Sequence, residues 1–398
     1  MESLKELFKI GRGPSSSHTM GPEKACKKVL ENYNKCEKYK VILYGSLALT
    51  GKGHGTGIVI KKVLGNQTKI IFDKKTMVKH PNTFDIIGYI NNKKVLKKRV
   101  YSVGGGKILF SDECQKIDNN TKIYPHSTFE EIKKYCIDEN LRLYEYVYRF
   151  EPDIKEYLFS IWNQMKSSIL EGLNSDGVLP GGLNVQRKAK ILFSLTEENE
   201  DSQTKNCRLL SSYAFAVSEQ NASQGVVVTS PTCGSCGVVP AVMYAEQINK
   251  NLSDDIIVNG LATCGLIGNI IKHNASVSGA ECGCQAEIGS ACAMASAGIA
   301  EVENMTIEQI EYASEISLEH HLGLTCDPVK GLVQIPCIER NAVASMRAFD
   351  SVTLAKFLTN TRKISLDLVI KTMYKTGKDL SSIYKETSKG GLAKLYKC

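Results

Sequence analysis

The sequence predicts an α+β N-terminal domain followed by an all-α C-terminal domain, and three observations carry that prediction. Short β-rich runs separated by Gly and Asn turns fill the first third of the chain. At "PHSTFEEIKKYC" the texture changes, and helical periodicity persists to the end, interrupted at Gly/Pro clusters such as "DGVLPGGLNV" and "CDPVKGLVQIPC". Segments such as "SACAMASAGIAEV" are rich in Ala, Ser and Gly, which lets helices approach closely in a buried bundle. The expected division is an α+β domain over 1–126, a helical linker over 127–150 and a helical domain over 151–398. A chain of 398 residues has room for two or three such cores.

Taken in order, "KVILYGSLALT" reads as a strand running into a Gly/Ser turn. In "HGTGIVIKKVLG" the spacing of Ile58, Ile60 and Val63 predicts a helix ending at Gly65. "TKIIFD" is a further strand. The run from Phe84 to Phe110 reads as a hairpin meander turning at Asn91 and Asn92. Ser127 with Glu130, or Thr128 with Glu131, forms a capping box that opens the first helix of the second half.

Composition narrows the function classes. With 42% hydrophobic and 23% charged residues, the chain is of ordinary globular type. The net charge of +8 comes from scattered lysines with no compact basic block interleaved with aromatics, so nucleic acid is not an expected partner. The N-terminal residues lack the pattern of a signal peptide, and the longest apolar stretch, residues 256–271, is broken by Asn and Gly and reads as too short to span a bilayer. A cytoplasmic protein with no membrane partner is expected. Fourteen cysteines in such a chain are not expected to form a disulfide framework. Most should be small core residues, with a few serving as ligands.

"GPSSSHTMGP" places Ser15, Ser16, Ser17, His18 and Thr19 between Gly-Pro pairs, where amides and hydroxyls beside a histidine suit a carboxylate and offer a base. "YGSLALTGKGHGT" repeats the theme with His54. "SVGGG" at residues 102–106 reads as a turn. The CxxC pair Cys233 and Cys236 in "SPTCGSCG" lacks both the βαβ context of a thioredoxin site and the second CxxC of a zinc site. In "HNASVSGAECGCQAE", Cys282 and Cys284 sit in a glycine-broken turn before a helix. Cys326 lies beside Asp327-Pro328, and Cys337 follows Pro336 at a helix start. Helix N-termini lower a thiol's pKa, and only the thiolate binds metal, so Cys284, Cys326 and Cys337 are candidate ligands of a metal or a dispersed cluster. Cys264 and Cys292, inside apolar helical runs, read as core.

On the blocks "GPSSSHTMGP", "YGSLALTGKGHGT", "YSVGGG", "NASVSGAECGCQAEIGSACAMA", "EHHLGLTCDPVKGLVQIPCIERNA" and "ETSKGGLAK", the chain resembles the iron–sulfur-dependent L-serine dehydratases (L-serine ammonia-lyases) of the single-chain bacterial type. The resemblance runs from about residue 4 to the C-terminus. It implies an α+β domain followed by a helical domain carrying a [4Fe–4S] cluster on Cys284, Cys326 and Cys337. The fourth iron would be open and act as a Lewis acid. It further implies that His18 and His54 line the site, that the substrate is L-serine, that the products are pyruvate and ammonium, and that the protein is a homodimer. Either histidine suits the role of base. Ser15, Ser16, Ser17, Thr19, Asn274 and Ser276 are candidates for hydrogen bonds to the carboxylate and amine. A lyase of the same architecture acting on threonine or cysteine, and a non-catalytic iron–sulfur sensor, are the competing readings.

The chain ends on Cys398. A C-terminal cysteine carries a free α-carboxylate and a β-sulfur where L-serine carries an α-carboxylate and a β-oxygen, and Gly390 and Gly391 give the tail freedom to turn back. Cys398 is therefore expected to occupy the fourth iron as an internal analogue of the substrate. The resemblance points the same way.

Overall fold

The computed structural model describes residues 1–33, 36–112, 122–196 and 199–396. The first part contains β1 (Ile10–Arg12), α1 (Gly21–Asn32), β2 (Lys38–Leu43), α2 (Gly45–Thr50), α3 (Thr56–Leu64), β3 (Lys69–Phe72), β4 (Thr83–Ile90), β5 (Lys93–Ser102) and β6 (Ile108–Phe110). Helices then follow almost without interruption: α4 (Phe129–Asp138), α5 (Leu143–Phe150), α6 (Ile154–Leu173), α7 (Ala189–Ser194) and α8 (Ser202–Ala222). After the short β7 (Val226–Val228) come α9 (Val238–Lys250), α10 (Asp254–Asn274), α11 (Gly279–Cys282) and α12 (Ile288–Val302). The chain closes with α13 (Ile307–Glu319), α14 (Cys337–Leu358), α15 (Leu366–Asp379) and α16 (Gly391–Leu395). This is the α+β-then-α architecture expected.

A five-stranded sheet of order β3-β2-β4-β5-β6 organises the first part, parallel between β2 and β3 and antiparallel elsewhere. Asn91 and Asn92, with φ of 49° and 58°, make the β4–β5 hairpin turn, a backbone that asparagine tolerates better than most residues. Gly65 ends α3 at φ 101°. "GSLALT" differs from expectation: it is the helix α2, opened by Gly45 at φ 52°, where a Cβ would meet the Pro81 carbonyl oxygen at 2.3 Å. The sheet's apolar face, with Val41, Leu43, Phe84, Ile86 and Val100, packs against Ala25, Val29 and Ile60 of the helices.

In the second part the capping box forms on Thr128 and Glu131. The Ala/Ser/Gly-rich α12 is the central helix, packed by α9, α10, α13 and α14, with Cys292 buried within it. Residues 256–271 lie in α10, a 21-residue helix that by length and composition could cross a membrane, contrary to the expectation that the stretch is too short. Of its most apolar window 78% is buried inside the protein, the pattern of a core helix. Cys264 is buried there too.

The first residues of the chain belong to this helical core. Met1, Leu4, Leu7 and Phe8 share its apolar cluster, and β1 pairs antiparallel with β7. Two glycines of α10 make the room: a Cβ on Gly265 would meet Leu4 at 2.7 Å, and one on Gly268 would meet Leu7 at 2.8 Å. We expect Leu4→Ala to lower the free energy of unfolding by about 2–5 kcal/mol, as for a fully buried leucine, despite its place near the chain end. Urea titration of the variant against the parent protein measures this, and a change below about 0.5 kcal/mol would mean that the N-terminal segment is not part of the core.

Candidate active site

Ser16–Met20 forms one wide turn leading into α1, with the Ser15 hydroxyl accepting from the His18 amide at 3.1 Å. The turn buries the His18 ring completely, and the surrounding hydroxyls assign its protons. Ser46 Oγ donates to the Glu386 carbonyl at 2.8 Å, and Thr50 Oγ1 donates to the Ser46 carbonyl at 3.0 Å. With their protons so used, both hydroxyls accept from His18 Nε2, at 3.1 and 3.0 Å. His18 Nδ1 therefore holds the lone pair, and the Ser17 hydroxyl lies 2.8 Å from it. For His54 the assignment is reversed. Its Nδ1 lies 3.1 Å from the Thr50 carbonyl, which can only accept, so Nδ1 carries the proton. Nε2 then holds a buried lone pair, with no hydrogen-bond partner among the described residues.

The two rings stand 4.4 Å apart. Burial drives the His54 pKa down to about 4; burial, then the neighbouring His54, holds His18 well below the usual range. Both are neutral bases at neutral pH. Glu386 sits between them, its Oε1 3.4 Å from His18 Nδ1 and 3.6 Å from His54 Nε2. Burial pushes its carboxyl well above the ordinary range, and the charges of Glu287 and Cys284 add to the shift. The sequence reading missed Glu386. No spacing in one sequence links residue 386 to residues 18 and 54; only the fold does.

Across from the histidines lie the cysteines. Cys284, Glu287 and Cys326 offer ligand atoms within 4.8 Å of one another, as do His18, His54 and Glu386. Gly283, at φ 75°, breaks the chain between α11 and the 3-10 turn Cys284–Ala286, and Cys337 is the first residue of α14. A hydrogen bond from the Cys326 thiol, aided by the Arg340 guanidinium, lowers Cys284 to about 6. The Cys326 thiol is raised by that same bond and by burial, and Cys337 is raised by burial and then by the charge of Cys284. Arg340 is fixed to the loop by donating to the Thr325 carbonyl at 2.6 Å. Glu287, also missed in the sequence, accepts from Thr232 Oγ1 at 2.7 Å; removal from water and the Cys284 charge push it up to about 8.

The other expected residues divide. Ser15, Ser17 and Thr19 lie in the histidine cluster, where their hydroxyls serve the histidines: Ser15 and Ser17 face His18 Nδ1, and Thr19 donates to the His54 carbonyl at 3.0 Å. Ser16 is buried in the same turn. Asn274 stands apart, exposed at the end of α10 with its amide on the Ser127 and Ile270 carbonyls. Ser276 is buried but bonded to Glu281, which in turn faces His80. Cys233 and Cys236 are buried with thiols pushed up by burial, the Cys233 sulfur 3.4 Å from that of Met20. Cys398 lies outside the described residues.

The histidine environment has a consequence for stability. His54 titrates near 6.5 in the unfolded chain and near 4 when folded, so between these values the unfolded state holds the additional proton. This contribution is intact above about pH 6.5 and is lost as pH falls toward 4, reaching roughly 3 kcal/mol. We expect the parent protein to lose this much more stability between pH 7 and pH 4 than His54→Gln does. Urea titrations at several pH values measure the difference, and parallel curves would show that His54 is not held neutral by burial.

Known proteins resemble this chain along its whole length. The family model "Serine dehydratase alpha chain" matches residues 27–393. The L-serine dehydratase of Haemophilus influenzae is 38% identical, with 99% of each chain covered. L-serine dehydratase 1 of Escherichia coli is 38% identical over all of both chains. The L-serine dehydratase of Helicobacter pylori is 41% identical, covering all of this chain and 99% of its own. With its sequence matched from end to end, and with histidine-bearing and cysteine-bearing segments brought to one place, this chain belongs to the L-serine dehydratase family.

Proposed function

We propose that the L-serine dehydratase activity of this chain, a lyase reaction giving pyruvate and ammonium, is carried out between the histidine pair and the cysteine cluster. The observation that carries this reading is His54 Nε2: a buried, unprotonated nitrogen with no hydrogen-bond partner among the described residues, in a ring held neutral at the pH where a base is needed. His54 is accordingly the base that takes the α-proton. His18, with Nε2 fixed as a donor to two hydroxyls, orients the site, and the buried Ser16 hydroxyl serves the substrate carboxylate.

The donor set suits an iron–sulfur cluster. Cys284, Cys326 and Cys337 are soft ligands on three separate segments, and the Cys326 hydrogen bond and the Arg340 charge favour a thiolate at Cys284. In our reading these three would hold a [4Fe–4S] cluster, with Cys398 as the candidate ligand of its fourth iron. When bound, the cluster supplies a Lewis acid that helps the β-hydroxyl leave. The chain's own residues bind and orient the amino acid, exclude water and accept its α-proton at His54 Nε2. The released 2-aminoacrylate then tautomerises and hydrolyses to pyruvate and ammonium. The proposal includes a cytoplasmic homodimer and domains over 1–126 and 151–398 joined by 127–150, with the first eight residues lent to the helical core.

Two sets of variants test this. Cys284→Ser, Cys326→Ser and Cys337→Ser should each lose the brown colour and the pyruvate-forming activity together in anaerobic preparations, while Cys264→Ser keeps both. His54→Ala should keep the colour and lose about 100-fold or more in turnover. A fully active Cys326→Ser or His54→Ala would overturn the respective assignment. Separately, Cys398→Ala should lower the Michaelis constant for L-serine, because a tethered competitor acts at an effective concentration in about the millimolar range. It should also hasten loss of the cluster in air, and unchanged kinetics together with unchanged air sensitivity would remove the tail from the site.

A further inference from the structure

L-serine presents a carboxylate, a hydroxyl and an ammonium, and the last needs acceptors. Around Glu386 Oε1 the structure gathers an unusual set of them. His18 has its proton on Nε2 and His54 has its proton on Nδ1, so the lone-pair nitrogens of both rings face the same carboxyl oxygen, at 3.4 and 3.6 Å. His18 Nδ1 has the Ser17 hydroxyl at 2.8 Å, but His54 Nε2 has no hydrogen-bond partner among the described residues, so beside Glu386 an acceptor is left over for a donor that enters this water-poor space. Among the described residues, the basic side chains that approach the Glu386 carboxyl are these two histidines, both neutral, with no lysine or arginine beside it. An alkylammonium carries three N–H donors and the positive charge that is missing.

We propose that Glu386 receives the α-ammonium of L-serine, and that this contact selects amino acids over the corresponding carboxylic acids. The inference rests on the reading that L-serine binds between the histidine pair and the cysteine cluster. Glu287, the other carboxylate nearby, is less suited, because Oε1 is taken by Thr232 and Oε2 faces the Cys326 sulfur at 4.0 Å. The assignment also accounts for geometry at the base. The ammonium and the α-hydrogen share one carbon, so an ammonium seated on Glu386 Oε1 brings that hydrogen toward His54 Nε2.

The test uses anaerobic, cluster-loaded enzyme and two ligands that cannot be dehydrated, L-alanine and propionate, which differ in the ammonium alone. Their inhibition constants against L-serine are measured, and their binding is followed independently by calorimetry. The parent enzyme should bind L-alanine about 10- to 100-fold more tightly than propionate, the scale of a hydrogen-bonded charge. In Glu386→Gln that ratio should collapse toward one and the Michaelis constant for L-serine should rise by a similar factor, while Glu386→Asp keeps part of the preference. Equal binding of the two ligands by the parent enzyme overturns the proposal without any variant. A preserved ratio in Glu386→Gln overturns it too, and would make the residue merely structural. His54→Ala separates this from the underlying reading: its turnover should fall with the L-alanine preference retained. If His54→Ala and Glu386→Gln both leave turnover and binding at parental values, the site itself is wrongly placed and the ammonium assignment falls with it.

Discussion

Two backbone hydrogen bonds fasten the C-terminal segment along the cysteine loop: Cys326 N to the Tyr384 carbonyl and Glu386 N to the Cys326 carbonyl, both 2.8 Å. They fix where the Glu386 side chain goes, and with it the acceptor for the Ser46 hydroxyl that helps set the His18 protons. Farther on, Asp327 accepts from Leu392 N at 2.7 Å, capping α16. The tail reaches that point by turning at Glu386 and Ser388, with φ of 56° and 54°, each costing about 1–2 kcal/mol for a residue with a Cβ. At Gly391, φ 55°, no Cβ is possible, since it would lie 2.1 Å from Asp327 Oδ2. A segment carrying that much strain stays seated only because the loop's backbone and carboxylate hold it at several points.

Two electrostatic regimes meet along this seam. On the histidine side the ligands of the rings are hydroxyls and carbonyls, which orient imidazoles without charging them, so burial is left to dictate neutrality. On the cysteine side Arg340 supplies a fixed positive charge, tied to the Thr325 carbonyl and facing Asp327 at 3.4 Å. A base must be neutral to accept a proton, whereas a thiol must lose its own to bind metal. The fold gives one cluster hydroxyl and carbonyl partners and the other a guanidinium that favours the Cys284 thiolate, while the Cys326 and Cys337 thiols stay raised.

The sequence disclosed the architecture and the parts, though not their assembly. Periodicity and turn residues gave the strands around Asn91 and Asn92, the capped start of α4 and the buried placing of Cys264 and Cys292, because those features are local. "GSLALT" was misread because a glycine before a short apolar run signals a turn as readily as a helix start, and the choice is made by the close approach of Pro81 to Gly45. The histidines were visible as His-bearing polar loops, and three cysteines as residues at helix ends and kinks. The roles of Ser15, Ser17 and Thr19 were not visible. Their hydroxyls look like substrate ligands in a list of motifs, yet in space they are spent on His18 and His54. Asn274 shows the reverse error, being near the cysteines in sequence and exposed at a helix end in the structure.

Both histidine segments are, moreover, docked onto the helical part by contacts that only glycine or a small loop permits. A Cβ on Gly53, next to His54, would lie 2.5 Å from the Gly331 carbonyl oxygen, and Gly331 itself, at φ 69°, packs on Thr50. On the other side Gly13 abuts Asn221, whose amide donates to the Pro14 carbonyl at 2.9 Å just before the serine-rich turn. Met20, closing that turn, meets Cys233 of the CxxC loop. That loop is in turn joined to α14 by Asn341, which accepts from Gly237 N and donates to the Gly234 carbonyl. The CxxC segment is thus best understood as a brace: its cysteines are buried with thiols raised, and its backbone ties the helix that begins at Cys337 to the turn that carries His18. Histidines and thiols come from opposite sides of one interface, so the candidate site lies where the two parts touch, and the small residues at that contact are what bring the two clusters together.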